Sequence, residues 1–257
     1  MGPARGLLLL ILVVAPGCER GGSGSAADAA RLLRQVEQGL GERDARLRTF
    51  RFEGTVQEEG EAPLPFRFAY RAPARMRGSL GGSSPCTFAY DGEHLYEQRD
   101  AERRLTTFTL ALPPPERTAF LTEVFSPFLP EGFRVPLLPR TGVSAERAVH
   151  RLAPQAVRLR VALPQGEQVE YLLRWPSLDF LGKRTQAGEL RVEAEACDAA
   201  LHLCVPRRLT RWVDGRQVGQ TELRDIALGP ALPSGLFVLE APAGYEARTQ
   251  RLVPRSP

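Results

Sequence analysis

Cysteine and histidine are the side chains best placed to do chemistry in this sequence, and their spacing limits what that chemistry is. Cys197 and Cys204 bracket the stretch Asp-Ala-Ala-Leu-His-Leu. Two cysteines facing each other across an antiparallel hairpin come within bridging distance. Closing so short a loop stabilises a fold by about 2.5 kcal/mol on the chain-entropy account. The competing chemistry is zinc binding through Cys197, His202 and Cys204, which offers three ligands on a spacing that fits no common zinc motif; the disulfide is the expectation, with no metal site. Cys86 is then left over and is expected to be a buried free thiol. His94, His150 and His202 lie far apart in sequence. There is no Gly-x-Ser-x-Gly, no His-Glu-x-x-His and no dinucleotide fingerprint. Gly182-Lys183 is not a P-loop, because Ser177 stands where the upstream glycine belongs and Arg184 replaces the hydroxyl residue. Glu58, Glu59 and Glu61 read as a solvated turn. The expectation is a chain that is not an enzyme, with no catalytic residue and no cofactor.

The fourth cysteine, Cys18, sits in a different context. Arg5 precedes an unbroken apolar run, Leu7 to Ala15, about half of the roughly 20 residues a bilayer-spanning helix needs and the length of a signal-peptide core. The run ends Ala15-Pro16-Gly17-Cys18, which resembles the lipobox of bacterial lipoproteins, although Ala15 stands where that pattern usually has leucine. The resemblance implies cleavage before Cys18 and a lipid anchor, palmitate included, on that cysteine. The alternative is an ordinary secretory peptide cut nearby. Gly21-Gly22-Ser23-Gly24-Ser25 has the composition of a flexible tether. The expected organisation is a signal peptide over 1–17, an anchor and linker over 18–25 and a single β domain over 26–257. Such a protein faces the periplasm from a membrane of the bacterial envelope. Glu19 is not the aspartate that in enterobacteria favours inner-membrane retention, so the outer membrane is the expected site. An oxidising envelope also permits the disulfide.

The net charge of +4 and a pI near 9.1 raise the question of nucleic acid. All but one of the basic residues are arginine, Lys183 being the exception, and most are scattered between apolar positions. With no basic run and with export expected, nucleic acid is not an expected partner; anionic lipid headgroups are a weaker possibility. The chain is expected to be monomeric.

The elements that must position any site follow from periodicity. From Ala26 to about Arg43, Ala29, Leu32, Leu33, Val36 and Leu40 form one helical stripe, with Ser25 or Asp28 as the cap. Strands follow. Phe50, Phe52 and Val56 begin one; Phe66, Phe68 and Tyr70 alternate with Arg67, Ala69 and Arg71. Phe88 to Tyr96 turns at Asp91-Gly92, and Thr106 to Leu110 continues the sheet. Val157 to Leu163 returns through Gln165-Gly166 to Val169, Tyr171, Leu173 and Trp175. Leu190 to Ala196, Val205 to Val213 and Val218 to Leu228 complete the series, the last two joined at Asp214-Gly215. Between these regions, Ala111 to Gly142 is both apolar and rich in proline, which forbids a long helix but allows a short one from about Pro115 to Phe125. So long an irregular segment reads as a lid or as a cap on the core. Many short antiparallel strands suggest a sandwich or barrel.

In order, these features resemble the LolA/LolB superfamily of lipoprotein carriers and receptors. The resemblance rests on Leu47-Arg48-Thr49-Phe50-Arg51-Phe52-Glu53-Gly54, on Tyr70-Arg71-Ala72-Pro73-Ala74-Arg75-Met76-Arg77, on Tyr90-Asp91-Gly92-Glu93-His94-Leu95-Tyr96 and on Leu236-Phe237-Val238-Leu239-Glu240-Ala241-Pro242-Ala243-Gly244-Tyr245, which resembles the family's closing strand. It implies a mainly β fold, a half-open antiparallel β-barrel with an N-terminal helix and a helical lid, binding a lipid or lipoprotein acyl chain. The candidate cavity residues are Phe66, Phe68, Tyr70, Phe88, Tyr90, Phe108, Phe120, Phe125 and Phe128; for each, plain core packing is the competing role. The alternative function is a non-catalytic envelope sensor or scaffold of the same fold that binds a protein partner.

Overall fold

The computed structural model describes residues 26–133, 142–162 and 167–253. The leader, Cys18, the tether with Ser25, the Gln165-Gly166 turn and residues 134–141 of the proline-rich segment lie outside the described residues.

Helix α1 (Ala26–Arg46) extends three residues beyond the predicted end. The reason is packing: Leu32, Val36, Leu40, Arg43 and Leu47 are all buried at helical spacing, so the stripe does not stop at Leu40. Asp28 is not the cap. It lies inside the first turn, ion-paired with Arg31 at 2.8 Å, where a carboxylate favours the helix dipole.

Among the described residues, fourteen strands then form one sheet: β1 (Thr49–Glu58), β2 (Leu64–Arg71), β3 (Arg75–Leu80), β4 (Cys86–Tyr90), β5 (His94–Arg99), β6 (Arg104–Leu110), β7 (Gly142–His150), β8 (Ala153–Ala162), β9 (Gln168–Arg174), β10 (Phe180–Thr185), β11 (Gly188–Asp198), β12 (Leu203–Val213), β13 (Arg216–Leu228) and β14 (Glu246–Leu252). Helix α2 (Pro114–Phe125) stands between β6 and β7. The order across the sheet is β14-β6-β5-β4-β3-β2-β1-β13-β12-β11-β10-β9-β8-β7, with the two ends unjoined among the described residues. This is the expected mainly β, half-open, antiparallel architecture with an N-terminal helix and a short lid helix. One pairing departs from it: β14 runs parallel to β6. The closing strand is also displaced in sequence. Leu236–Tyr245 is not a strand; it begins within a short 3-10 turn (Ser234–Phe237) and leads into β14. Phe237, Leu232 and Leu239 are buried there against Ala69 and against Ala89, Tyr96 and Leu105, side chains on the outer face of β2–β6, so this segment straps the back of the sheet before β14 joins its edge.

Turn chemistry follows the sequence signals. Asp214 and Gly215 both take positive φ (50° and 76°), as a tight hairpin turn requires. Asp91 accepts the N–H groups of Glu93 and His94 at 2.8 and 2.7 Å and the Tyr96 hydroxyl at 2.9 Å. Burial of that hydroxyl, together with its bond to the Asp91 carboxylate, pushes Tyr96 up to about 12. Cys86 is half-buried rather than buried, because it opens β4 beside an exposed turn, and desolvation raises its thiol above the ordinary range.

The inner face carries two apolar clusters. One gathers Leu32, Val36 and Leu40 of α1 over β7–β12, with Val157, Leu173, Phe180 and Leu209 at its centre. The other lies on β1–β6 and the adjoining ends of β12 and β13, under α2.

Candidate apolar site beneath the α2 lid

The second cluster has its origin in the period-2 alternation of β1 and β2. Phe50 and Phe52 stand opposite Tyr70 and Phe68 in register, on one face, and their rings stack at 5.1–6.3 Å. Phe66 meets Phe52 edge-on at 5.9 Å. Aromatic pairs in these geometries add about 0.5–1.5 kcal/mol each beyond their burial.

Helix α2 starts behind Pro113, with proline at its first positions where a missing N–H costs nothing. It supplies Leu121 and Phe125, and the turn that follows supplies Phe128 and Phe133; all four are buried. Phe133 sits 5.1 Å from the Phe50 ring and 4.7 Å from Phe52. Phe125 lies 6.2 Å from Phe68, and Phe128 lies 5.8 Å from Phe88. A Cβ on Gly78 of β3 would fall 2.5 Å from the Phe128 ring, so glycine is what lets that ring lie on the sheet backbone. The concave face is therefore filled by side chains of α2 and its following turn.

All nine candidate residues enter this one cluster. Phe66, Phe68, Tyr70, Tyr90, Phe125 and Phe128 are buried in it, while Phe88, Phe108 and Phe120 pack against it partly buried. Sequence reasoning placed Phe50 and Phe52 only as strand residues and left Phe133 within the proline-rich segment, yet these three form the centre of the stack. The alternation Phe50-Arg51-Phe52 was a sufficient signal for the first two.

Arg43 was missed as well, although its spacing from Val36 and Leu40 puts it on the buried stripe. Its side chain is fully buried. It donates to the carbonyls of Gly132 at 2.6 Å and Phe133 at 3.0 Å, and reaches that of Cys204 at 3.5 Å. The counter-charge is Asp179, also buried, at 3.6 Å; Asp44 lies at the same distance. Burial pushes the guanidinium below its ordinary range, opposed chiefly by Asp179. A buried charge persists only when paired and hydrogen-bonded; here the hydrogen bonds join α1 to the end of the lid, and the counter-charge comes from Asp179, just before β10. Gly132 takes φ +96°, and a Cβ there would strike Phe180 and Pro206 at 2.7–2.8 Å, so only glycine brings this carbonyl to Arg43. Lys183 adds a second tie, to Glu131 at 2.5 Å.

Cys197 and Cys204 form the expected disulfide. They are directly opposite in the β11–β12 register. Leu203 and Val205 beside it are buried in the lidded cluster. His94, His150 and His202 are not gathered: among the described residues no group of three or more His, Cys, Asp or Glu side chains is arranged to hold a metal ion. No described helix is long and apolar enough to cross a membrane. Two depressions of about 630 and 530 Å³ lie against the C-terminal strap, beside Arg75 and Ser234 and beside Arg77 and Glu240 respectively, with polar and charged side chains on their walls.

No protein-family description matches the chain, and no curated protein does. Among solved structures, the fold is similar to a LolA superfamily protein, NE2245 from Nitrosomonas europaea, at 9% identity and a TM-score of 0.49, covering 79% of this chain and 97% of that one. It is similar to a putative outer membrane lipoprotein-sorting protein domain from Vibrio parahaemolyticus at 9% identity and a TM-score of 0.47, covering 79% and 97%. A MucA/MucB complex from Pseudomonas aeruginosa is matched at 12% identity and a TM-score of 0.30, covering 80% of this chain and 61% of that one.

Proposed function

We propose that this chain is a non-catalytic lipoprotein of the bacterial envelope that shelters an acyl chain of a lipid or lipoprotein on the concave face of β1–β6, in the place its own lid fills when unloaded. The observation that carries the reading is the convergence of six aromatic candidates, Phe66, Phe68, Tyr70, Phe88, Tyr90 and Phe108, on one sheet face whose cover, a short proline-started helix and the turn after it, brings the other three, Phe120, Phe125 and Phe128. Seven apolar side chains of the lid (Phe120, Leu121, Val124, Phe125, Phe128, Leu129 and Phe133) occupy that surface. Moving them aside leaves a phenyl-lined trough. Each methylene of an acyl chain transferred from water into it gains about 0.8 kcal/mol, which offsets the packing that the lid gives up as it swings away. An exchange of one apolar cover for another keeps net affinity modest, as a carrier that must release its load requires.

Cys18 anchors the protein by lipid, facing the periplasm from the outer membrane, in this reading. Replacing Cys18 with alanine should abolish incorporation of a palmitate analogue and release the chain to the soluble fraction; labelling that persists would refute the anchor. Native mass spectrometry of the gently purified protein tests the binding. The expected result is co-purifying lipid, lost in a variant with Phe50 and Phe68 changed to serine. Bare protein, with no uptake of added phospholipid, would sink the acyl site. The filled interior favours a second reading, an envelope sensor or scaffold that binds a protein partner, and that outcome would leave it standing.

A further inference from the structure

The tip of the β11–β12 hairpin has few strand hydrogen bonds to support its disulfide, although Leu203 and Val205 are buried in the lidded cluster. β12 pairs with β13 only from Arg208 onward, so among the described residues Leu203–Arg207 has β11 as its one strand neighbour. The β11–β12 register shifts twice, between Val192 and Ala194 and between Ala194 and Glu195, just before the tip. Opposite Glu195 stands Pro206, which has no N–H to donate. A two-stranded ribbon of this kind is marginal by itself. Yet this ribbon is the docking point for the end of α1. Arg46 donates to the carbonyls of Leu201 and His202, both at 3.3 Å. Arg43 reaches the Cys204 carbonyl, and the Cys204 N–H donates to Asp179 at 3.0 Å. Arg43 also holds the lid by Gly132 and Phe133.

We propose that Cys197–Cys204 is a redox-controlled fastener of the lid, resting on the reading of α2 as a movable cover. The reductant is a protein dithiol. Its thiolate attacks Sγ of Cys197, the exposed member of the pair, and the S–S bond breaks with Cys204 leaving as thiolate. The second donor thiol resolves the mixed disulfide. Two electrons and two protons pass to this chain, and the donor becomes a disulfide. The freed ribbon loses its fixed register, Cys204 no longer holds Asp179 and Arg43 in place, and the grip on the lid backbone relaxes.

The test is hydrogen exchange on the full chain in detergent, oxidised against reduced by dithiothreitol, with alkylation to count free thiols. Amides of 114–133 should exchange at least about tenfold faster on reduction, while those of β8 and β9 stay unchanged. The double variant C197S/C204S should match the reduced protein; should it fail to fold, reduction of the folded wild type alone decides. Free thiols with no acceleration in 114–133 overturn the proposal. So does acceleration spread equally over β8 and β9, which marks a mere structural staple, and so does a disulfide that resists the dithiol in the folded state. The readout needs no lipid, so a chain that passes it yet binds none loses the acyl ligand and keeps the switch.

Discussion

β7–β12 and β1–β6 belong to one sheet, yet their inner faces are covered by different means. Over β7–β12, α1 lays down a helix of 21 residues whose Leu32, Val36 and Leu40 join a mainly aliphatic cluster that also holds Tyr171 and Phe180; Gly39 gives room for Leu178, which a Cβ would meet at 2.7 Å. Over β1–β6, α2 has 12 residues, begins at proline and, with the turn after it, sets Phe120, Phe125, Phe128 and Phe133 beside Leu121, Val124 and Leu129 against a largely aromatic face. The ties that hold its end come from outside that half: Arg43 on α1, Lys183 on β10. The strands differ too. Register shifts interrupt β7–β8, β9–β10, β11–β12, β12–β13 and β13–β1, whereas β1 to β6 pair without a break. Bulges bend and twist strands, so curvature is generated in one half and the other supplies a regular wall. The difference teaches that the two halves are closed by different kinds of packing, and the α2 cover is the one we propose to be replaceable.

The sharpest way to break this comparison is Arg43→Ala, which strips two buried lid carbonyls of their donor and leaves Asp179 to Arg174, Ser177 and the Cys204 N–H; it should cost about 3–5 kcal/mol in urea unfolding. A loss below about 1 kcal/mol would mean the tie is ornamental. Next comes a matched pair. Leu173→Ala under α1 should lower global stability by about 3 kcal/mol. Phe128→Ala should appear first as faster amide exchange in 114–133, with a smaller change in the unfolding midpoint; equal global losses would erase the distinction between core and cover. Gly78→Ala is milder in chemistry but aimed at the contact itself. The new methyl displaces Phe128, and uptake of a fluorescent apolar probe should rise, while a rise absent in a folded variant counts against a movable lid. Smallest is Lys183→Ala. A partly exposed ion pair is worth about 0–1 kcal/mol, so its effect should be confined to the lid and should fade in high salt.

Much of this could be read along the chain. Phe66, Phe68 and Tyr70 alternate strictly with polar or small neighbours, so they share a face whatever the partners are. The Asp91-Gly92 and Asp214-Gly215 turns are local events, set by side-chain capping and positive φ. β3, β7 and β10 were not legible: Arg75–Leu80 and Phe180–Thr185 contain glycine and lack clean alternation, and Gly142–His150 carries charges on an edge. The segment 236–245 was misplaced because Phe237 and Leu239 look like strand residues when they are buried side chains of a strap.

The residues alone determined the α1 stripe, the aromatic face of β2, the hairpins and the proximity of Cys197 to Cys204, because helical and strand periods and short loops act over a few residues. Only the tertiary structure decided that Phe133 stacks on Phe50, that Arg43 clasps a carbonyl some 90 positions away and that the lid fills the trough. Such contacts depend on how a bent sheet brings distant segments together, and no local spacing encodes that.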